Sequence, residues 1–209
     1  MKKLSNIVND VVEDYIRHTL KDADGLLKEL EVFAEENSVP IVHKEVSDLL
    51  KVLLKMQKPQ RILEVGCAIG YSSILFATTC EGNVDITTCE RNPVMIERAK
   101  ENIKRAGFEN NIRILEGDAV EQLKNVEGEF DMIFLDAAKG QYKLFYDLVI
   151  DKLKVGGVLI SDNILYKGMI ASDDLVVRRK KTIVKRMRNY LDYICNCDYL
   201  TTSLLPMGD

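Results

Sequence analysis

Three oxygen-bearing side chains, Asp136, Asp162 and Asn163, pose the first chemical question of this sequence. Asp136 closes the apolar run FDMIFLD, and Asp162 and Asn163 close VLISDN. Short β-rich runs with almost no polar residues read as strands buried on both faces. If two such strands lie parallel and adjacent, their last residues come within roughly 5 Å of each other. Two carboxylates and an amide oxygen then form a hard oxygen set that suits Mg2+, with water or substrate oxygens completing the shell. A divalent cation would also remove the repulsion between the two carboxylates. Lys139 follows Asp136 by three residues in DAAKGQY, within reach of the same site as a base. The plainer readings are that Asp162 and Asn163 cap the next segment and that Lys139 is a solvated loop lysine.

A second set of strand ends has the character of a nucleotide site. Glu64, Val65, Gly66, Cys67, Ala68, Ile69 and Gly70 follow the run RIL; Glu90 ends VDITTCE, and Asp118 ends NIRILEGD. Gly66 and Gly70 permit a sharp turn and close approach of backbone to ligand. An acid at the end of the second strand can accept from both hydroxyls of a ribose. Asp118 would lie near an adenine edge. The glycines do not make G-x-G-x-x-G, and no P-loop lysine follows them. That argues against a dinucleotide and a nucleoside triphosphate. An adenosine ligand without pyrophosphate fits best, and S-adenosylmethionine is the obvious candidate.

These ends need a scaffold. Residues 1–57 read as a helical extension: Leu4, Ile7, Val8, Val11, Val12, Tyr15 and Ile16 recur at helical spacing, followed by helices near Leu26 to Asn37 and His43 to Met56. Residues 58–209 read as one α/β unit in which strand and helix alternate five times. Asn92 and Pro93 mark a helix start, and Gly107 its end. A helix is expected from Gln141 to Leu153, a basic helix from Asp174 to Leu191, and a last strand at YLTTSLLP (199–206). Tyr142, Phe145 and Tyr146 read as packing, and Tyr71 as either core or pocket.

The 209 residues carry 46% hydrophobic and 30% charged side chains, which excludes disorder as the main state. No run approaches the ~18 apolar residues of a membrane span, and no secretory leader is evident. Five scattered cysteines read as reduced thiols in a cytoplasmic protein. The net charge of -4 excludes a globally basic nucleic-acid binder. One segment departs from it: VVRRKKTIVKRMR (176–188) has seven bases and no acid. Arg178, Arg179, Lys180 and Lys181 could meet phosphates, or simply form a solvated helix face.

The strings EVGCAIGYSS (64–73), Glu90-Arg91-Asn92, EGDA (116–119), FLDAAKGQY (134–142) and SDNILYKG (161–168), with VP-I at 39–41, resemble the cation-dependent O-methyltransferases of the class I S-adenosylmethionine fold. Catechol and caffeoyl-CoA enzymes are in that family. DAAKGQY and DN-L-KG look most like its bacterial tRNA 5-hydroxyuridine branch. The resemblance implies a Rossmann-like, mostly parallel seven-stranded sheet with helices on both faces. It implies that Asp136, Asp162 and Asn163 are metal ligands, and that Lys139, with Asp136, is catalytic. Cofactor contacts fall on Ile41, Val42, Gly66, Ser72, Glu90, Asp118 and Ala119, to which the turn adds Glu64 and Gly70 and the metal end Asp136. The implied reaction methylates the 5-hydroxyl of wobble 5-hydroxyuridine in a tRNA anticodon. A small catechol or phenol is the alternative substrate, and a non-catalytic cofactor-binding module is a second alternative. A homodimer is expected. Ala137 and Ala138 stand where catechol enzymes tend to carry bulky aromatic residues, which implies an open mouth. The family's chains usually continue past PMGD (206–209) into a glycine and a short strand.

Overall fold

The computed structural model describes residues 7–208. Its sheet comprises β1 (Arg61–Val65), β2 (Asp85–Glu90), β3 (Ile112–Glu116), β4 (Phe130–Leu135) and β5 (Leu153–Ser161). All pairings are parallel, in the order β3-β2-β1-β4-β5. Three helices precede it: α1 (Asp10–Thr19), α2 (Gly25–Asn37) and α3 (Lys44–Gln57). The crossovers carry α4 (Tyr71–Thr79), α5 (Pro93–Ala106), α6 (Ala119–Lys124) and α7 (Tyr142–Val149), and α8 (Lys181–Cys195) follows β5.

Side-chain alternation divides the interior into two layers. Ile62, Met132 and Phe134 face a core shared with Leu50 and Leu54 of α3, Ile74 and Phe76 of α4 and Ile103 of α5. Leu63, Val65, Ile133 and Leu135 face the other core, with Tyr142, Phe145 and Tyr146 of α7 and Met187 and Tyr190 of α8. Both faces are covered, which is why β4 reads as almost continuously apolar.

Charge fastens α1 to the start of α3. Arg17 of α1 donates from Nε and Nη2 to Glu45 of α3 at 2.9 and 2.7 Å. Its Nη2 also meets His43 Nδ1 at 2.8 Å and Glu13 Oε1 at 2.5 Å. Lys44 Nζ donates to the carbonyls of Arg17 and Leu20 at 2.8 and 2.6 Å, closing the carboxyl end of α1. His43 thus has a structural partner.

Several expected boundaries move. The sheet has five strands among the described residues, not seven. The 199–206 segment does not pair with β5, because its anchors are helical. Tyr199 Oη meets Tyr146 Oη of α7 at 2.8 Å, and Thr202 Oγ1 donates to the Ile194 carbonyl of α8 at 3.0 Å. The basic helix starts at Lys181 rather than Asp174. Two β-branched residues, Val176 and Val177, interrupt it, and Val177 is extended at ψ 130°. β5 begins earlier than expected, at Leu153, with a register irregularity opposite Phe130 to Met132. Asn92 and Gly107 cap α5 as expected. Leu4 lies outside the described residues. All five cysteines are free, and no helix among the described residues is long and apolar enough to cross a membrane.

Candidate active site

Register brings the strand ends level. Val65 pairs with Cys89 and Leu135, and Leu135 with Ser161. One residue further on, the Asp136 amide donates to the Val65 carbonyl and the Asp162 amide to the Leu135 carbonyl, both at 2.9 Å. Asp136 and Asp162 therefore occupy neighbouring positions on neighbouring strands. The strand order reverses between β1 and β4, and a cleft of about 380 Å³ opens at the carboxyl end there. Ligands of open α/β sheets sit at this kind of switch point.

The β1–α4 turn forms the cleft floor. Gly66 has φ 109°, and a Cβ there would lie 2.0 Å from the Asp136 carbonyl oxygen, so only glycine lets the turn press against the β4 end. Gly70 has φ 84° and faces Ala99 of α5 rather than the cleft. Glu64 also stands behind the lining. It is fully buried and accepts from Ser72 Oγ at 2.5 Å, from Thr88 Oγ1 at 2.6 Å and from Ser73 Oγ. Burial pushes the Glu64 carboxyl above its ordinary pKa, against the pull of those hydroxyls.

Ile41, Val42, Gly66, Ser72, Glu90, Asp118 and Ala119 line the cleft. Glu90 is clamped in orientation. Its Oε2 accepts from the Ala68 amide at 2.9 Å, and its Oε1 from the Arg91 and Asn92 amides at 2.9 and 2.8 Å. Asp118 caps α6 with Oδ1, accepting from the Val120 amide at 2.9 Å. Tyr71 lines the cleft and donates to Glu31 Oε1 at 2.8 Å, tying α4 to α2. Arg91, Gln141 and Phe145 line it as well. The sequence did not single out Arg91 or Gln141, and for Arg91 the only signal is its place beside Glu90. Phe145, read as packing, is buried in the second core as expected and also reaches the cleft.

The other end holds the oxygen set. Lys139 Nζ lies 2.9 Å from Asp136 Oδ1 and donates to Tyr142 Oη at 3.1 Å. Lys139, Asp136 and Asn163 all line the cleft, as do Ala137 and Ala138. Asp162 is buried and does not line the cleft; its Oδ1 accepts from the Asn163 amide at 2.8 Å. Asn163 donates Nδ2 to the Gly208 carbonyl at 2.5 Å, which leaves its amide oxygen as the group able to ligate. Two carboxylates and an amide oxygen at adjacent strand ends are a donor set that fits Mg2+ or Mn2+.

Arg178, Arg179, Lys180 and Lys181 do not line the cleft. They occupy a short 3-10 turn (Arg178–Lys180) and the start of α8. Arg178, Arg179 and Lys181 are exposed. Further along α8, Arg186 Nη1 donates to the Gly140 carbonyl at 3.4 Å, so Arg186 itself adjoins the Lys139 turn.

A parallel sheet with its cleft at the strand-order reversal, and a clamped acid at the end of β2, defines a Rossmann-like nucleotide-binding enzyme class. Within that class, the chain belongs to the O-methyltransferase family, whose model matches residues 17–209. An Arabidopsis thaliana relative, provisionally assigned as a caffeoyl-CoA O-methyltransferase, is 31% identical over 72% of this chain and 62% of its own. A catechol O-methyltransferase from Niastella koreensis is 29% identical over 82% of this chain and 80% of its own. A Staphylococcus aureus crystal structure, of provisional caffeoyl-CoA O-methyltransferase assignment, is 39% identical with TM-score 0.81, covering 90% of both chains. An O-methyltransferase from Bacillus cereus, solved in complex with SAH, is 25% identical with TM-score 0.76, covering 88% of this chain and 84% of its own.

Proposed function

We propose that this protein transfers a methyl group from S-adenosylmethionine to one hydroxyl of a catechol-type phenol, with a divalent cation at Asp136, Asp162 and Asn163. The observation that carries the reading is the juxtaposition of Asp136 and Asp162 on neighbouring strand ends, with Lys139 Nζ 2.9 Å from Asp136 Oδ1. The SAH-bound Bacillus cereus relative and the clamped Glu90 support the cofactor. The catechol and caffeoyl-CoA names of the relatives support the acceptor and put it ahead of tRNA.

When bound, the cation supplies a Lewis acid that lowers the pKa of an acceptor hydroxyl, and the cofactor supplies an electrophilic methyl. The protein's own work is placement. Glu90 offers fixed acceptors to a ribose, and Gly66 keeps the floor of the cleft free of side chain. Lys139 stands in place to stabilise the acceptor's oxyanion or take its proton at Nζ. A catechol has the vicinal oxygens that such a site selects.

The test is methyl transfer to 3,4-dihydroxybenzoate and to 4-hydroxybenzoate, each with Mg2+ and with EDTA. The catechol alone should be methylated, and only with metal. Equal turnover of both acids in EDTA would contradict the reading.

A second reading, the 5-hydroxyuridine of a tRNA anticodon, has one observation of its own: a run of exposed bases at Arg178, Arg179 and Lys181 that leads into α8, whose Arg186 meets the Lys139 turn. Its 5-hydroxyl and 4-carbonyl present the same vicinal geometry as a catechol. In that case methylation of hydroxyuridine-containing tRNA should fall steeply with salt and in an Arg178→Glu/Arg179→Glu variant, while catechol turnover stays level. We also propose a homodimer. The apolar residues Val11, Val12 and Tyr15 stand exposed on α1 and are the face a second copy would cover; light scattering checks the mass.

A further inference from the structure

We infer that Tyr142 is a positioning residue for the cation site, its hydroxyl joining the β4 end, the β5 end and Lys139. The role rests on the metal reading above and extends it to a residue that touches neither cofactor nor acceptor.

Tyr142 opens α7 and is 1% exposed. Its Oη lies 3.0 Å from the Leu135 carbonyl and 2.9 Å from the Asp162 carbonyl, and the one hydroxyl proton serves these two acceptors. The same oxygen accepts from Lys139 Nζ at 3.1 Å. Leu135 immediately precedes Asp136, and Asp162 immediately precedes Asn163. One hydroxyl is therefore in contact with the backbone next to each ligand position and with the base.

The geometry explains why a strand ladder alone is not enough. β4 and β5 are joined by the Asp162 amide at the Leu135 carbonyl, and the ladder ends there. Asn163 already leaves extended geometry, with φ 50°. Beyond the last rung the two chains diverge into separate turns, and a cation needs its ligands held within tenths of an ångström. Tyr142 reaches across that divergence from below. Partners that orient ligands in this way typically account for ~10–100-fold in metal affinity.

The ring and the hydroxyl have separable tasks. The ring packs edge-on against Tyr190, with centroids 5.7 Å apart and an interplanar angle of 89°. Tyr142→Phe keeps that packing and removes the hydroxyl with its contacts to Leu135, Asp162 and Lys139. Tyr190 provides the matched control. It too is fully buried, and its hydroxyl meets Ser161 Oγ at 2.7 Å without touching Lys139 or the β4 end.

The experiment titrates Mn2+ by electron paramagnetic resonance into the wild type, Tyr142→Phe, Tyr190→Phe and Asp162→Ala, with SAH affinity and thermal melting measured on each. Tyr142→Phe should bind Mn2+ about tenfold or more weakly, with SAH affinity unchanged and a cooperative melt. Tyr190→Phe should bind Mn2+ like the wild type. Tyr142→4-aminophenylalanine, which restores a donor, should recover much of the loss, and it carries the test if the phenylalanine variant folds poorly. Unchanged Mn2+ affinity in Tyr142→Phe while Asp162→Ala loses it would overturn the role of Tyr142 alone. An equal loss in both tyrosine variants would reduce it to general core loosening and overturn it too. Absence of Mn2+ binding by the wild type would remove the metal reading and this role with it.

Discussion

Glu64 and Asp136 sit on neighbouring strands, two acids near the same end of the sheet, and their surroundings differ completely. Glu64 is sealed beneath the first turn with Ser72, Ser73 and Thr88 donating to it. Its oxygens are committed to protein, and its work is to hold the β1–α4 turn onto β2. Asp136 lies in the cleft wall beside Lys139 Nζ, a partner that an incoming cation can replace. Acids at strand ends thus come in two kinds: those that build the wall and those left with oxygens to exchange.

The comparison breaks most visibly at Asp136. Asp136→Ala should lower methyl transfer about a hundredfold or more, on the scale of losing a group that stabilises transition-state charge, and leave the urea midpoint nearly unchanged. A large stability loss with turnover preserved would reverse the assignment. Glu64→Leu should behave in the opposite sense. It orphans three hydroxyls at once, and about 3 kcal/mol or more of stability should disappear from a urea titration.

A third carboxylate sharpens the contrast by pairing with a cation yet serving only structure. Burial alone would raise the Glu45 pKa, but hydrogen bonds with His43 and Arg17 hold it well below the ordinary carboxylate range. A depressed folded-state pKa contributes stability that is present above the unfolded value and lost as pH falls below it. Between pH 6 and pH 3 the α1 contact should therefore weaken, by roughly 1–2 kcal/mol for a charge-assisted pair of this kind. Hydrogen exchange of α1 amides reads this directly. Arg17→Met should expose α1 at pH 6 and flatten its pH dependence. The smallest effect is expected from Arg178→Glu/Arg179→Glu, which should leave catechol turnover within about twofold, since the substitutions lie on the surface away from the cleft.

Much of this arrangement was legible in the residues. Short β-rich runs closing on an acid or glycine located Glu90, Asp118, Asp136 and the 162–163 pair. Asn92 with Pro93, and Gly107, announced both ends of α5. What stayed hidden was direction. A strand-end acid reads the same whether it faces ligand or interior, so Glu64 could not be separated from Glu90. Its three donors come from α4 and β2, and only the fold brings them together. Tyr142 read correctly as packing, since its ring does pack; the contacts of its hydroxyl depend on where β4 and β5 end. The strand expected at 199–206 is absent among the described residues for a like cause: the segment has β-rich composition, but Tyr199 and Thr202 are anchored to helices.

The most direct test of the central claim is anomalous diffraction from crystals grown with Mn2+ and SAH. One strong peak is expected within about 2.5 Å of oxygens from Asp136, Asp162 and Asn163, with the adenosine in the cleft beside Glu90. A fully occupied peak elsewhere, or SAH bound with no metal at these three residues at saturating Mn2+, would contradict it.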